Sequence, residues 1–523
     1  MSTGWMLRAC GAVLLAGLMS CSDVMGPEVA SDGPLHTDAR EQRLGLASGE
    51  GARPLDLRPD DLGSQPAWIT AGSGGVFFTA TDDGTGTEPW WSDGTEAGTF
   101  QLKDIAAGIA TSSPRGFTRL NGSVFFATFG GLWKSDGTAA GTVLIQNTQV
   151  RVEPPVNPLV AMNGAVYFAA YGPSGMEDLW KSDGTNAGTT LIKAIATSYT
   201  ARPKWLTVVN NTLFFSMDDG STGEELWKSD GTAAGTVRVK DIFPGSYGSN
   251  PRNFVQVNGK LYFTADDGSR GEEVWTSDGT AAGTVLMKDL NTGVRFSSNP
   301  SNLVNVNGTL FFMTALSYSG RELWKSDGTA EGTVYLADIR YVVGTAPFFT
   351  AMGSSLYWAM YGSTGGGYEL WKSDGTVAGT GPVRAFAGGA VFPVLAHLTA
   401  VNGTLYFVFN GPNGSELWKS DGTTAGTVLV TTFHPTPSSA VPTSLTAVDG
   451  MLYFSANDGV SGDELWKSDG TAAGTVLVRN IQRRGASSAP GSLTDVNGTL
   501  FLVANDGLNG LQLYKSDGTE TGT

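Results

Sequence analysis

Three observations predict an all-β chain folded as a β-propeller of ten four-stranded repeats, each about 47 residues long. The first is a period. The stretch Glu225-Leu226-Trp227-Lys228-Ser229-Asp230-Gly231-Thr232 recurs ten times with small variations, and its aspartate falls at Asp93, Asp136, Asp183, Asp230, Asp278, Asp327, Asp374, Asp421, Asp469 and Asp517. The second is turn chemistry. Asn-Gly, the strongest short hairpin signal, stands at Asn121-Gly122, Asn163-Gly164, Asn258-Gly259, Asn307-Gly308, Asn402-Gly403 and Asn497-Gly498, with Asp449-Gly450 in another repeat. The third is the absence of helical patterning: no interval between these signals is long enough, or suitably spaced, for a helix.

The repeat that begins near Asn250 shows how each strand is recognised. Residues 253–257 (NFVQV) form the first strand and Asn258-Gly259 turns the chain. Residues 260–265 (KLYFTA) form the second, followed by an acidic loop from Asp266 to Glu272. The third is residues 273–277 (EVWTS), closed by Asp278-Gly279-Thr280, and residues 284–290 return as the fourth. β-Branched and aromatic residues between short spacers predict an antiparallel meander. The second strands are apolar at nearly every position, as in Leu310-Phe311-Phe312 and Leu452-Tyr453-Phe454. Both faces therefore need cover, which blades stacked around an axis supply. The recurring aromatic residue (Trp90, Trp133, Trp180, Trp227, Trp275, Trp324, Trp371, Trp418, Trp466 and, in the tenth repeat, Tyr514) is expected to pack between blades.

The ends complement one another. The last repeat reaches Thr523 without a fourth strand, and Pro54-Leu55-Asp56-Leu57 precede the first Gly-Ser-x-Pro connection, Gly63 to Pro66. That segment is expected to complete the last blade. One ring of ten, two rings of five and an open array all fit; no linker separates repeats five and six, which favours the single ring.

Residues 1–20 read as a secretory signal peptide, with Arg8 before an apolar run from Ala9 to Met19 that is too short to span a bilayer. The run ends in Leu18-Met19-Ser20-Cys21, which resembles the bacterial lipobox. That resemblance implies lipidation at Cys21 and, with Ser22 following, delivery to the outer membrane. Residues 21–50 lack a hydrophobic face and read as a tether, which leaves residues 51–523 as the propeller.

Composition narrows the partners. The 49 acidic against 33 basic residues give a net charge of −16, which disfavours nucleic acid and anionic membrane; the membrane is met only through the lipid anchor. Cys10 and Cys21 are the only cysteines, and His36, His397 and His434 are too scattered for a zinc cluster. The paired acids Asp218, Asp219, Asp266 and Asp267 are calcium candidates, although a turn role explains them better. No other cofactor is expected. No nucleotide-binding, nucleophile-elbow or metalloprotease motif lies in a usable context, and no catalytic residue is assigned.

The repeated motif resembles that of the bacterial ELWxxDGT-repeat proteins, common in myxobacteria, over residues 54–523. Trp91 and Thr276 depart from its lysine, Pro89 and Val274 from its leucine, and Gly131 and Asp178 from its glutamate; Gln512 and Tyr514 alter the tenth copy. The resemblance implies a secreted or surface-attached protein of unassigned biochemistry. The Ser-Asp-Gly-Thr turn also resembles the structural Asp-box hairpin of sialidase-like and sortilin-like propellers.

Function is expected on the face opposite the hairpins. The connections there differ from repeat to repeat: residues 243–247 read FPGSY, residues 294–297 VRFS and residues 481–484 IQRR. Variation over a constant scaffold predicts a non-catalytic binding or adhesion scaffold for glycan or a surface protein. A glycan-processing enzyme and a structural envelope component are the rival readings.

Overall fold

The computed structural model describes residues 64–95, 97–152, 159–317, 320–340, 349–362, 367–387, 394–434, 441–481 and 487–523. Cys21, the tether, and the strand expected at Pro54–Leu57 lie outside them. The chain separates into Met1–Glu50 and Gly51–Thr523, and all described residues belong to the second unit.

That unit is all-β, with no helix among the described residues. Ten antiparallel sheets follow one another along the chain as the blades of a single propeller. Blades 1 to 10 span residues 67–101, 115–146, 150–193, 204–240, 252–286, 301–340, 350–386, 394–434, 443–479 and 491–516. Eight have four strands in simple up-and-down order, blade 3 has five, and blade 10 has three. Blade 5 is representative, with strands Arg252–Val257, Lys260–Asp266, Glu272–Ser277 and Val285–Leu286.

Packing between blades explains the continuous apolar second strands. Alternate residues point to opposite faces of a sheet, and here each face meets another blade. In blade 5, Leu261, Phe263 and Ala265 join Phe214, Leu226 and Val239 of blade 4, whereas Tyr262 packs with Leu310 and Phe312 of blade 6. The recurring tryptophan stands opposite a second-strand ring, Phe78 with Trp90, Phe168 with Trp180, Phe263 with Trp275 and Trp358 with Trp371, whereas in blade 10 Leu502 stands opposite Tyr514. A basic side chain from the preceding blade covers several of these indoles, such as Lys193 Nζ 5.9 Å from the Trp227 ring and Arg384 4.9 Å from that of Trp418.

Ring size follows from these cores. Blade 5 packs on blade 6 through Val257, Tyr262 and Val274. Blade 10 packs on blade 1, where Val496, Phe501 and Leu513 meet Val76, Phe78, Ala80 and Trp90. Two rings of five would place blade 5 against blade 1, and an open array would leave Trp90 without its partner blade. The structure is one closed ring of ten.

Closure reuses the bonds that join consecutive blades. In blades 1, 4, 5 and 9 the glutamate that opens the repeated motif is buried and receives the connection to the next blade. Glu225 accepts from Ile242 N at 3.0 Å, Phe243 N at 3.1 Å, Ser249 N at 3.0 Å and Ser249 Oγ at 2.6 Å. Glu88, Glu273 and Glu464 accept in the same way from Ser112, Ser298 and Ser488. In blade 10 the position is Gln512, and its Oε1 accepts from Ser64 Oγ at 2.5 Å, while Ser64 N donates to Leu511 O at 2.8 Å. Ser64 precedes blade 1, so the last blade is joined to the first as blades 1, 4, 5 and 9 are joined to their successors.

Candidate functional site

The two faces of the ring differ in what they leave unsatisfied. On one lie the Asn-Gly and Ser-Asp-Gly-Thr turns. There Asp230 Oδ1 accepts from Thr232 N and Thr232 Oγ1, both at 2.8 Å, and Thr232 Oγ1 accepts from Gly235 N at 2.9 Å. A Cβ at Gly235 would fall 2.1 Å from the Asp230 carboxylate, so this turn closes only over glycine. The arrangement recurs at Asp93, Asp136, Asp183, Asp278, Asp327, Asp374, Asp421, Asp469 and Asp517. The threonine hydroxyl holds each of these carboxyls below the usual range, with the backbone amide adding to it. Third-strand lysines tie turn to turn around the ring: Lys181 Nζ reaches Gly231 O at 2.7 Å and Lys228 Nζ reaches Gly279 O at 2.6 Å. The turn aspartates thus serve this face as internal acceptors.

The opposite face carries the second-to-third-strand loops and the connections between blades. Ile109, Phe129, Tyr199, Tyr247, Val294, Phe296, Val460 and Leu508 all lie there, each at least 60% exposed. Among the described residues no large apolar side chain on the turn face reaches that exposure. Tyr199, Tyr247 and Phe296 come from three consecutive connections, between blades 3 and 6, and form an aromatic arc. Tyr247 stacks on Phe243 with centroids 5.7 Å apart, which fixes one ring of the arc in place.

The acidic loops lie on this face as well, with their carboxylates already bonded. Asp218 Oδ1 accepts from Gly220 N, and Asp219 Oδ1 from the amides and hydroxyls of Ser221 and Thr222. Asp266 and Asp267 repeat this with Gly268 and Ser269, and Arg238 and Arg270 pair with Asp219 and Asp267. Burial raises the Asp219 and Asp267 carboxyls, but these hydrogen bonds outweigh it and hold both below the usual range. Among the described residues no three His, Cys, Asp or Glu side chains are grouped to hold a metal ion. His397 lies on the first strand of blade 8.

The motif glutamates divide the ring into two sectors. In blades 1, 4, 5 and 9 they hold the connections as above. In blades 6, 7 and 8 they accept instead from the indole of their own motif: Trp324 Nε1 to Glu322 at 3.0 Å, Trp371 to Glu369 at 2.7 Å and Trp418 to Glu416 at 2.9 Å. Their fourth strands, Val334–Arg340, Gly381–Phe386 and Val428–His434, run longer than Val237–Lys240 of blade 4. The sequence motif alone did not reveal this change of partner, because the motif is unchanged.

No family profile and no curated protein matches the sequence. Among solved structures, the chain is similar to a prolyl endopeptidase at 11% identity and TM-score 0.33, over 67% of this chain and 54% of that one. It is also similar to a puromycin hydrolase at 14% identity and TM-score 0.32, over 69% of this chain and 61% of that one. A tricorn protease aligns at 12% identity and TM-score 0.26, over 75% and 37%. The chain spans between half and two thirds of the first two structures. Likeness at this level carries no argument about function.

Proposed function

We propose that this protein is an exported, lipid-anchored β-propeller that binds glycan or a surface protein through its connection face, without catalysis. The observation that carries this reading is the concentration of exposed apolar side chains on that face, opposite a face whose turns are bonded to themselves. Exposed aromatic residues rimmed by polar groups mark interaction sites, and rings held by neighbouring contacts lose little entropy on binding. Several weak contacts around one ring gain avidity where the partner spans them. Membership of the ELWxxDGT-repeat group and an outer-membrane address accord with this reading through the motif and the Cys21 lipobox.

Two experiments test the proposal. The full chain, purified in detergent and screened on a glycan array with and without calcium, should show saturable binding to one sugar class. Dependence on calcium would return the Asp218, Asp219, Asp266 and Asp267 loops to consideration, and a blank array would transfer the reading to a protein partner sought by crosslinking on cells. Separately, Cys21→Ala should move the protein from the membrane fraction to the soluble one; a variant that stays with membranes contradicts the anchor.

A further inference from the structure

The first strand of a blade borders the ring axis, and neighbouring first strands bond to one another there. Thr350 Oγ1 donates to Leu398 O at 3.0 Å, and Thr399 Oγ1 to Leu445 O at 3.4 Å. In eight blades this strand breaks register at the same place, near the end where the connection arrives. At each break one residue has positive φ: Trp68, Gly116, Trp205, Asn253, Asn302, His397, Ser444 and Ser492. The residue after it enters an inter-blade core, as Ile69, Leu206 and Phe254 do. The residue at the break does not.

Asparagine and glycine occupy this conformation readily, whereas a bulky residue there is strained. Trp68 has φ 56° and Trp205 φ 59°. Both are followed two residues later by a threonine whose hydroxyl bonds back to the tryptophan carbonyl, Thr70 at 3.1 Å and Thr207 at 2.9 Å. Blade 2 shows what the backbone itself requires. Its residue is Gly116, where a Cβ would fall 2.7 Å from Val152. Strain kept at an exposed position points to use rather than to folding. Trp68 is 43% exposed and Trp205 half-buried, and among the described residues neither indole joins a core.

We propose that these residues form an axial site for a neutral oligosaccharide. The side chains at the break are indole, amide, imidazole and hydroxyl, with no carboxylate, ammonium or guanidinium among them. Of the basic residues just before them, Lys204 pairs with Glu224 at 2.6 Å and Arg252 with Glu272 at 2.5 Å, and Arg115 lies over the Phe129 ring. The break positions themselves carry no charge to pair with a charged ligand, and a purely apolar one would displace water from the Ser444 and Ser492 hydroxyls without replacing its bonds. A sugar presents C–H faces to indoles and hydroxyls to the polar groups, so it satisfies both. The site is distinct from the Tyr199–Tyr247–Phe296 arc and does not depend on it.

The test is calorimetric titration of the detergent-purified full chain with cellohexaose, chitohexaose and maltohexaose, and with an oligogalacturonate as the acidic control. At least one neutral oligosaccharide should bind saturably and the oligogalacturonate should not. Trp68→Gly and Trp205→Gly should each weaken that binding by about tenfold or more, with Tm unchanged or raised because glycine removes the strain. A Tyr199→Ser/Tyr247→Ser/Phe296→Ser variant should keep the affinity. The proposal is overturned if no neutral oligosaccharide binds at millimolar concentration, or if binding survives both glycine variants. A clear loss of Tm in the glycine variants overturns it too, since the indoles would then be structural. Equal binding of the acidic oligomer overturns the chemical class.

Discussion

Phe263→Ala is expected to destabilise the protein by about 3–5 kcal/mol, the usual cost of emptying a large aromatic site in a packed core. Phe263 is fully buried, stands opposite Trp275 and fills the interface between blades 4 and 5. Its loss removes dispersion contacts on both blades, and the surrounding strands are held by their own ladders against collapse into the gap. The tenth blade provides the comparison, since Leu502 occupies the matching position opposite Tyr514. Phe263→Leu should therefore cost markedly less than the alanine variant. Urea unfolding followed by tryptophan fluorescence measures both; equal midpoints for the alanine variant and the wild type would contradict the packing account.

Glu225→Ala should be comparably damaging. It leaves the amides of Ile242, Phe243 and Ser249 and the Ser249 hydroxyl without their acceptor in a buried connection. Each buried group left unpaired costs about 1–3 kcal/mol, partly recovered if water enters. Glu225→Gln retains an acceptor oxygen, as Gln512 does for Ser64, and should be milder. Unfolding midpoints in the order wild type, glutamine, alanine are expected, and an alanine variant as stable as the glutamine one would contradict the role.

These buried carboxyls also set a pH dependence opposite to that of the turn aspartates. Burial raises Glu88, Glu225 and Glu273, against hydrogen bonds that lower them, and Glu273 reaches about 7. A folded value above the unfolded one means that the folded state holds the extra proton. The stability contributed at Glu273 is full below the unfolded value, about 4.3, and is lost as the pH rises through about 7. Each turn aspartate is depressed, so its contribution is present above about 3.9 and lost as the pH falls through its folded value.

Much of this architecture was legible in the chain. The period, the Asn-Gly turns and the doubly apolar second strands are local signals, and local signals specify blades well. The Asp230 turn was legible for the same reason, since Asp, Gly and Thr act within a few residues of one another. Ring size was legible only as a preference, from the missing linker between repeats five and six, because the contact of Val496, Phe501 and Leu513 with Val76 and Trp90 that closes the ring joins distant parts of the sequence. Nor was the role of Glu225, whose partners lie in a connection with no fixed pattern beyond its serine. The hairpin at Asn210-Asn211, both residues with positive φ, carries no Asn-Gly signal. The axial breaks left a trace that alignment of first strands exposes: Trp68-Ile69-Thr70, Trp205-Leu206-Thr207, His397-Leu398-Thr399, Ser444-Leu445-Thr446 and Ser492-Leu493-Thr494 share the last two residue classes and carry Trp, His or Ser in the first.

The account turns on which face meets the partner, and comparing one variant on each face tests this directly. Binding of a screened ligand that is kept by Trp68→Gly and Trp205→Gly, and so does not use the axial breaks, would be measured for wild type, for Tyr199→Ser/Tyr247→Ser/Phe296→Ser, and for Val377→Ser on the turn face. Loss of binding in the first variant with full binding in the second is the predicted result. Full binding by the triple variant, or loss confined to Val377→Ser, would contradict the assignment of recognition to the connection face.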